Sequence, residues 1–450
     1  MTGLTAAIAA YAARASGAPP DDVLPVIRSA FTDTLGTMLA GRHEPAVTLL
    51  RAHLAERGAT AAEASVLLSG ERAHAADAAL VNGTAAHALD YDDVALAGHP
   101  STVLVPAILA EAQRTGASGA AAMGAYLVGY EVWAELVARE PDPYHEKGWH
   151  PTAVFGTVAA AAALAALHRL DAGRAAHAVA LAASMAGGLV ANFGSMTKPL
   201  HAGRAAFSAV EAVRLAAQGF TASPDAIEHR AGFLAALSPA GKADRDTPSR
   251  LGEVLRIRVS GLNVKRYPMC YATHRTIDAV LDLVTKHDLG PEDVAAVEAT
   301  IGETQAAMLR NHAPRTGLEA KFSLEFAVAS AVVARRIGLA ELTDEFVLRP
   351  EVQAILPRVS IATSATRCPI EPAFAETDRV VLRTSSGAML ESGDIRFPRG
   401  NAMLPMSEAE LQDKFNDCAR GWNGGAALME QLARLEHLPE LRGLGGAAPG

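Results

Sequence analysis

Apolar residues recur at spacings of three and four through the first 260 positions. Leu24, Ile27, Phe31, Leu35 and Met38 mark one face of a helix that Asp21 and Asp22 start. The same periodicity predicts helices over 75–89, up to Glu140, from Pro151 through an alanine-rich run, from Asp171, and from Pro199. Near residue 262 the pattern changes. Residues 271–287 still read as helix, but 294–302 (VAAVEATIG) is rich in Val and Ile with partial alternation and predicts a strand. A helix over 318–338 follows, then strands over 359–365, 378–385 and 388–396, the last two joined through SSG as a hairpin. Helical periodicity returns after 405, where Ser407 and Glu410 have the spacing of a capping box. The fold class is mainly α: a large all-helical domain from 1–261 and 405–450, and a smaller α+β domain over 262–404. The terminal GLGGAAPG is expected to fray, and no internal repeat is visible.

Four dipeptides punctuate this pattern: His99-Pro100, His150-Pro151, Lys198-Pro199 and Tyr267-Pro268. Proline suits the first helical position, where its missing N–H would be unpaired anyway, and it pushes the preceding residue out of the helix. Each step therefore places a polar side chain at the mouth of a predicted helix. Free N–H groups and the dipole draw anions to such mouths. Several mouths brought together would bind a small polyanion; one alone is more often structural.

Composition narrows the classes. Half the residues are hydrophobic, only 5% are aromatic, and the formal net charge is −9, which speaks against a nucleic-acid surface. Three cysteines, Cys270, Cys368 and Cys418, lie far apart with no CxxC pair, so neither a disulfide framework nor a structural zinc site is expected. The apolar run 153–166 is mostly alanine, too weak for a membrane span, and reads as a buried helix. No signal-peptide pattern opens the sequence, so a cytoplasmic location and no membrane partner are expected.

The densest chemistry is in HALDYDDVALAGHPS, residues 87–101. Asp90, Asp92 and Asp93 precede a loop that His99 closes. His87 and Asp90, three apart, are placed to share a helix face. Together with His99 they offer nitrogen and oxygen ligands for a metal, a minority reading beside that of a hydrogen-bonded acid/base cluster. No glycine-rich nucleotide signature is present.

HALDYDD with GHPS, then GWHPTAVFG, TKPLHAGRAA, KRYPMCYATH and PRGNAMLPMSEAELQDKF, in this order, resembles the MmgE/PrpD family over nearly the whole chain. The resemblance implies a helical domain with an α+β lid domain, a homodimer, a site between the two domains, and no metal or organic cofactor. It implies 2-methylcitrate dehydratase, cis-aconitate decarboxylase or iminodisuccinate epimerase chemistry on a small polycarboxylate. Matched motif by motif, it points to Asp90, His99, His150, Lys198 and Lys265 as catalytic, with Tyr144 beside them, and to His201, Arg204, Cys270 and His274 as substrate-binding. Two positions depart: Cys270 stands where cis-aconitate decarboxylases have a histidine, and Val94 where they have a threonine. Both weigh against decarboxylation of cis-aconitate, and the YPMC..TH form is more similar to the epimerase-like branch than to the methylcitrate dehydratases.

These reactions share one demand, a proton moved at a carbon next to a carboxylate, with cations or dipoles where negative charge develops. His99 and His150 suit the acid/base role, and Asp90 is placed to fix a tautomer. Lys198 and Lys265 suit carboxylate binding and enolate stabilisation. Tyr144 could donate to a carboxylate or act as an acid. His201 and Arg204, three apart, could meet substrate or pair with Asp92 or Asp93. Cys270 is as readily a small core residue as a thiol lining the site. Two rival readings stand beside the enzyme: a carboxylate-binding protein without turnover, and a helical scaffold.

Overall fold

The computed structural model describes residues 3–15, 17–58, 61–371 and 373–445. The chain divides into two compact units, residues 1–264 with 411–450 and residues 265–410. The fold is mainly α with a smaller α+β part. Helices of nine or more residues are numbered here in chain order.

The first unit holds α1 (Leu4–Arg14), α2 (Leu24–Gly41), α3 (Pro45–Glu56), α4 (Ala75–His87), α5 (Ser101–Thr115), α6 (Gly119–Val137), α7 (Pro151–Leu167), α8 (Ala172–Met185) and α9 (Thr197–Ala217). Their starts follow local chemistry. Pro151 occupies the first turn of α7. Asp171 accepts a hydrogen bond from the Arg174 N–H at 2.9 Å and caps α8, as Ser118 caps α6. The alanine-rich α7 is buried on all sides from Pro151 to Ala166, which explains why it lacks a polar face. Among the described residues no helix is long and apolar enough to cross a membrane.

Helix α4 lies against α9 more closely than side chains would allow. A Cβ on Gly203 would sit 2.1 Å from the Leu80 carbonyl oxygen, and one on Gly83 would sit 2.9 Å from the Gly203 Cα. The two backbones touch at this crossing, and α4 and α9 carry several of the groups described below.

Several expectations need correction. The first 260 residues are not wholly helical: Ala64–Ser65 (β1) and Arg72–Ala73 (β2) form a short antiparallel pair. Helix α6 stops at Val137 rather than Glu140. Helix α9 starts at Thr197, so Lys198 lies inside its first turn rather than before it. Tyr267-Pro268 opens no helix; the chain stays irregular until a single 3-10 turn at Tyr271–Thr273 leads into α10 (His274–Lys286).

The second unit is built on a four-stranded sheet in the order β4-β3-β5-β6, with β3 Val294–Gly302, β4 Val359–Ser364, β5 Arg379–Thr384 and β6 Met389–Glu391. Strands β3 and β4 are parallel, with Val297 opposite Val359; β3 and β5 are antiparallel, with Val297 opposite Leu382. The hairpin β5–β6 forms as its SSG turn implies. The parallel pair needs a crossover, and it contains α11 (Leu324–Ala334), whose Phe326, Val328 and Val332 join Ile277 and Val280 of α10 in the core on the sheet. The helix expected over 318–338 is broken: Ser323 caps α11, which begins only at Leu324. Helices α12 (Glu408–Cys418) and α13 (Gly425–Ala433) close the chain. Ser407 and Glu410 exchange the capping-box hydrogen bonds, 2.9 Å and 3.3 Å, at the start of α12. Of the expected frayed tail, residues 446–450 lie outside the described residues.

Candidate active site

Helix α4 ends at His87, and the chain reverses through Asp90 at a left-handed φ of +54°. Val94 then pairs with Asn263 through two backbone hydrogen bonds of 2.9 and 3.0 Å. Ala95 and Gly98 exchange two more, 3.0 and 2.9 Å, around Leu96 and Ala97. Both of these central residues have positive φ, +50° and +60°, the pattern of a type I′ turn without the glycine or asparagine that would ease it. Such a conformation costs a non-glycine residue about 1 kcal/mol or more. The turn is held by the Trp133 indole N–H, which donates to the Leu96 carbonyl at 3.0 Å. It delivers His99 to the mouth of α5, where its backbone N–H donates to Thr152 Oγ1 in the first turn of α7 at 3.2 Å.

The side chains on this loop form an alternating row. Asp92 is wholly buried. Its Oδ2 lies 2.9 Å from Nδ1 of His87 and 3.1 Å from Nδ1 of His99. On the far side of His99, Nε2 lies 3.8 Å from Asp90 Oδ1, which accepts a hydrogen bond from Lys198 Nζ at 2.8 Å. The order is therefore His87, Asp92, His99, Asp90, Lys198. Burial opposes ionisation of Asp92, but the His87 and His99 rings outweigh it and hold its carboxyl below the usual range. Burial lowers His87 to about 4 against the pull of Asp92, with Lys198 and His99 adding to the lowering.

His150 stands at the mouth of α7, 2% exposed, its ring 5.9 Å from that of His87 and nearly parallel to it. Its Nδ1 lies 3.2 Å from Nδ1 of His201, which α9 supplies. Burial, then His87, His99, Lys198 and His201, push His150 far down the scale, so the ring is neutral. Phe193 packs edge-on against His150 at 4.8 Å, and Lys198 Nζ sits 5.3 Å from the centre of the Phe193 ring. Three of the four predicted helix mouths, those after His99, His150 and Lys198, thus meet within the first unit.

Asp93 faces elsewhere. Its carboxyl accepts from the Ser101 hydroxyl at the start of α5, and Ser101 Oγ lies 2.7 Å from the Tyr126 hydroxyl. Beneath the loop, Lys414 of α12 forms a buried ion pair with Asp33 of α2, donates to the Tyr91 carbonyl at 2.8 Å, and lies 3.9 Å from the centre of the Tyr91 ring. The loop is fixed from both sides.

The expected residues divide accordingly. Asp90, His99, His150, Lys198 and His201 come together in the first unit. His87 and Asp90 do not share a face, because the chain has left the helix at Asp90; His87 turns to Asp92 instead. Neither His201 nor Arg204 pairs with Asp92 or Asp93, whose partners are His87 and His99 for the one and Ser101 for the other. Arg204 points outward and its guanidinium lies 4.6 Å from the centre of the Phe207 ring. Tyr144 is buried against Phe155, ring centres 4.7 Å apart, and its hydroxyl has no hydrogen-bond partner among the described residues. Burial, with Glu140 nearby, raises its pKa. Lys265, Cys270 and His274 belong to the second unit. Lys265 is buried and Cys270 half-buried; His274 is wholly enclosed between the Tyr267 and Tyr271 rings, at 5.2 and 5.1 Å. Sequence reasoning missed the bridging of Asp92 and the place of Lys414, although both lie in the motifs quoted above.

The four groups His87, Asp90, Asp92 and His99 offer donor atoms within 4.8 Å of one another. A divalent ion there would compete with the contact of His87 Nδ1 to Asp92 and with the Lys198 ammonium that holds Asp90. Nε2 of His87 is buried and has no hydrogen-bond partner among the described residues.

The model of the MmgE/PrpD N-terminal domain matches residues 6–246, and that of the MmgE/PrpD C-terminal domain matches residues 267–435. Cis-aconitate decarboxylase of Homo sapiens is 28% identical over 378 residues, 81% of this chain and 77% of that protein. Its counterpart in Mus musculus is 29% identical over 352 residues, covering 75% and 70%. Cis-aconitate decarboxylase of Aspergillus terreus is 23% identical over 323 residues, covering 66% and 65%. With both domain models matched in order, the chain belongs to the MmgE/PrpD family and is an enzyme of the dehydratase or decarboxylase type.

Proposed function

We propose that this enzyme acts on a small di- or tricarboxylate by moving a proton at the carbon next to a carboxylate. The observation that carries this reading is the row Asp92, His99, Asp90, Lys198. An ionised carboxylate only accepts hydrogen bonds, so Asp92 keeps a hydrogen on Nδ1 of His99 and leaves Nε2 bare. That bare nitrogen is the general base. Lys198 and the start of α9 supply positive charge for a substrate carboxylate and for the enolate that follows. An incoming carboxylate would compete with Asp90 for the Lys198 ammonium, freeing Asp90 to support His99. His150 is the second acid/base group.

The curated relatives carry the name cis-aconitate decarboxylase, so cis-aconitate belongs among the first acids to try. Cys270 and Val94 remain departures from that pattern. They favour loss of a β-group or inversion at the deprotonated carbon over release of CO2.

The test is proton NMR of the folded enzyme in D2O with methylcitrate, citrate, cis-aconitate, tartrate, malate and iminodisuccinate. The expected result is deuterium at a carbon next to a carboxylate of one acid, with or without loss of water, slowed at least about 100-fold by His99→Gln. Release of CO2 from cis-aconitate would move the reaction type to decarboxylation. No labelling and no turnover of any acid would overturn the proposal.

A further inference from the structure

His150 and His201 meet through like atoms, Nδ1 to Nδ1, at 3.2 Å. Both rings are buried, at 2% and 9% exposure. Two imidazole nitrogens at this distance hold one hydrogen between them, since two bare nitrogens cannot bond and two N–H groups repel. The tautomers of the rings are therefore coupled. If His150 accepts at Nδ1, its hydrogen is on Nε2; if it donates, Nε2 is bare.

The rest of the site decides between these. His99 lies 3.1 Å from the Asp92 carboxylate through Nδ1, and in the proposed function its Nε2 is the bare nitrogen. A second bare nitrogen on His150 would leave two bases and no N–H to hold an enolate oxygen. No carboxylate contacts the His150 ring among the described residues, and the groups that bear on it, His87, His99, Lys198 and His201, are cationic or can become so. His150 must therefore take its orientation from a neutral donor, and His201 is the group in place.

We propose that His201 donates its Nδ1–H to Nδ1 of His150 and so fixes His150 as the N–H donor of the site, at Nε2. The inference rests on the proton-transfer reading above. His201 is then a positioning residue and not a ligand of the substrate.

The test combines spectroscopy and kinetics on the full-length enzyme. Nitrogen-15 NMR of histidine-labelled protein, assigned with His150→Gln and His201→Asn, reads which nitrogen of each ring carries hydrogen. The wild type should show His150 bare at Nδ1 and protonated at Nε2, with His201 protonated at Nδ1. The Asn amide places a donor near the former Nδ1, so His201→Asn should keep the His150 tautomer. His201→Leu should lose it. With the acid that the wild type labels, His201→Leu should cut kcat about 100-fold and leave KM within about twofold, and His201→Asn should restore most of the loss. A His150 bare at Nε2 in the wild type would overturn the proposal. So would a His201→Leu enzyme with raised KM and intact kcat, the signature of a substrate ligand. If the wild type labels no acid, the proton-transfer reading falls while the tautomer measurement still decides the role of His201.

Discussion

At the residue scale, the central feature is a carboxylate shared by two imidazoles. Replacing Asp92 by Asn keeps the shape but offers a donor as well as an acceptor, so His99 is no longer held in one tautomer. Asp92→Asn should lower kcat by 100-fold or more, on the order of an acid/base contribution, with little change in KM; a KM effect alone would place Asp92 in binding instead. The buried rings also set a pH dependence of stability. His87 is lowered to about 4, and burial likewise lowers His150, His201 and His145. An unfolded histidine titrates near 6.5. Between about 6.5 and the folded values the unfolded chain binds more protons, so stability rises with pH and falls on acidification. Asp92, held low, adds loss of the same sign below about 4. Buried carboxylates with raised pKa, such as Asp378 at about 6, act in the opposite sense, so the histidine contribution is read as a difference: His87→Asn should lose less melting temperature than the wild type between pH 7 and 4.5. Identical pH slopes in the two proteins would contradict a neutral buried His87. Much at this scale was legible, because His-Pro and Lys-Pro steps name residues at helix mouths. Partner choice was not: three aspartates within four residues look alike in sequence, and only the reversal at Asp90 decides that Asp92 turns to the rings and Asp93 to Ser101.

At the scale of elements, the site depends on how closely α4 and α9 approach. These helices carry His87 on one side and Lys198 and His201 on the other. Gly203→Ala would press a methyl group against the Leu80 carbonyl, whose backbone cannot turn aside. The expected cost is about 1–3 kcal/mol in denaturant unfolding, with activity falling more than stability, because the crossing must open. Unchanged stability and activity would show that the crossing has slack. Neither glycine stands out in sequence, since HAGRAA and VNGTAA read as ordinary helix. Long helices and the strands β3 and β5 were readable because their periodicity is sustained. The short pair β1–β2 and the break before α11 were not, since two-residue strands carry no period and Ser323 interrupts an otherwise helical run.

For the whole molecule, the decisive contact joins residues far apart in sequence. Lys414 joins Asp33 and the Tyr91 carbonyl, so the last segment of the chain holds the acidic loop of the first unit. Lys414→Met would strand a buried carboxylate and should cost about 3 kcal/mol or more. Asp33→Asn combined with Lys414→Met should recover much of that loss, a coupling measurable by a double-mutant cycle. Additive losses would mean that the two groups act independently. The motif QDKF marks this lysine in sequence, but its partner 381 residues away has no sequence signal of its own.

That contact imposes an order on synthesis. Asp33 and the loop at 90–99 leave the ribosome early, while Lys414 follows only after the 265–410 unit has been made. At typical elongation rates of about 5–20 residues per second the gap is roughly 15–75 s. Through that interval the nascent first unit lacks the counter-ion for Asp33 and the brace under Tyr91. The second unit, continuous in sequence, is complete before the first can close. The brace under the acidic loop is therefore added last, although nearly all the residues of the row are made first.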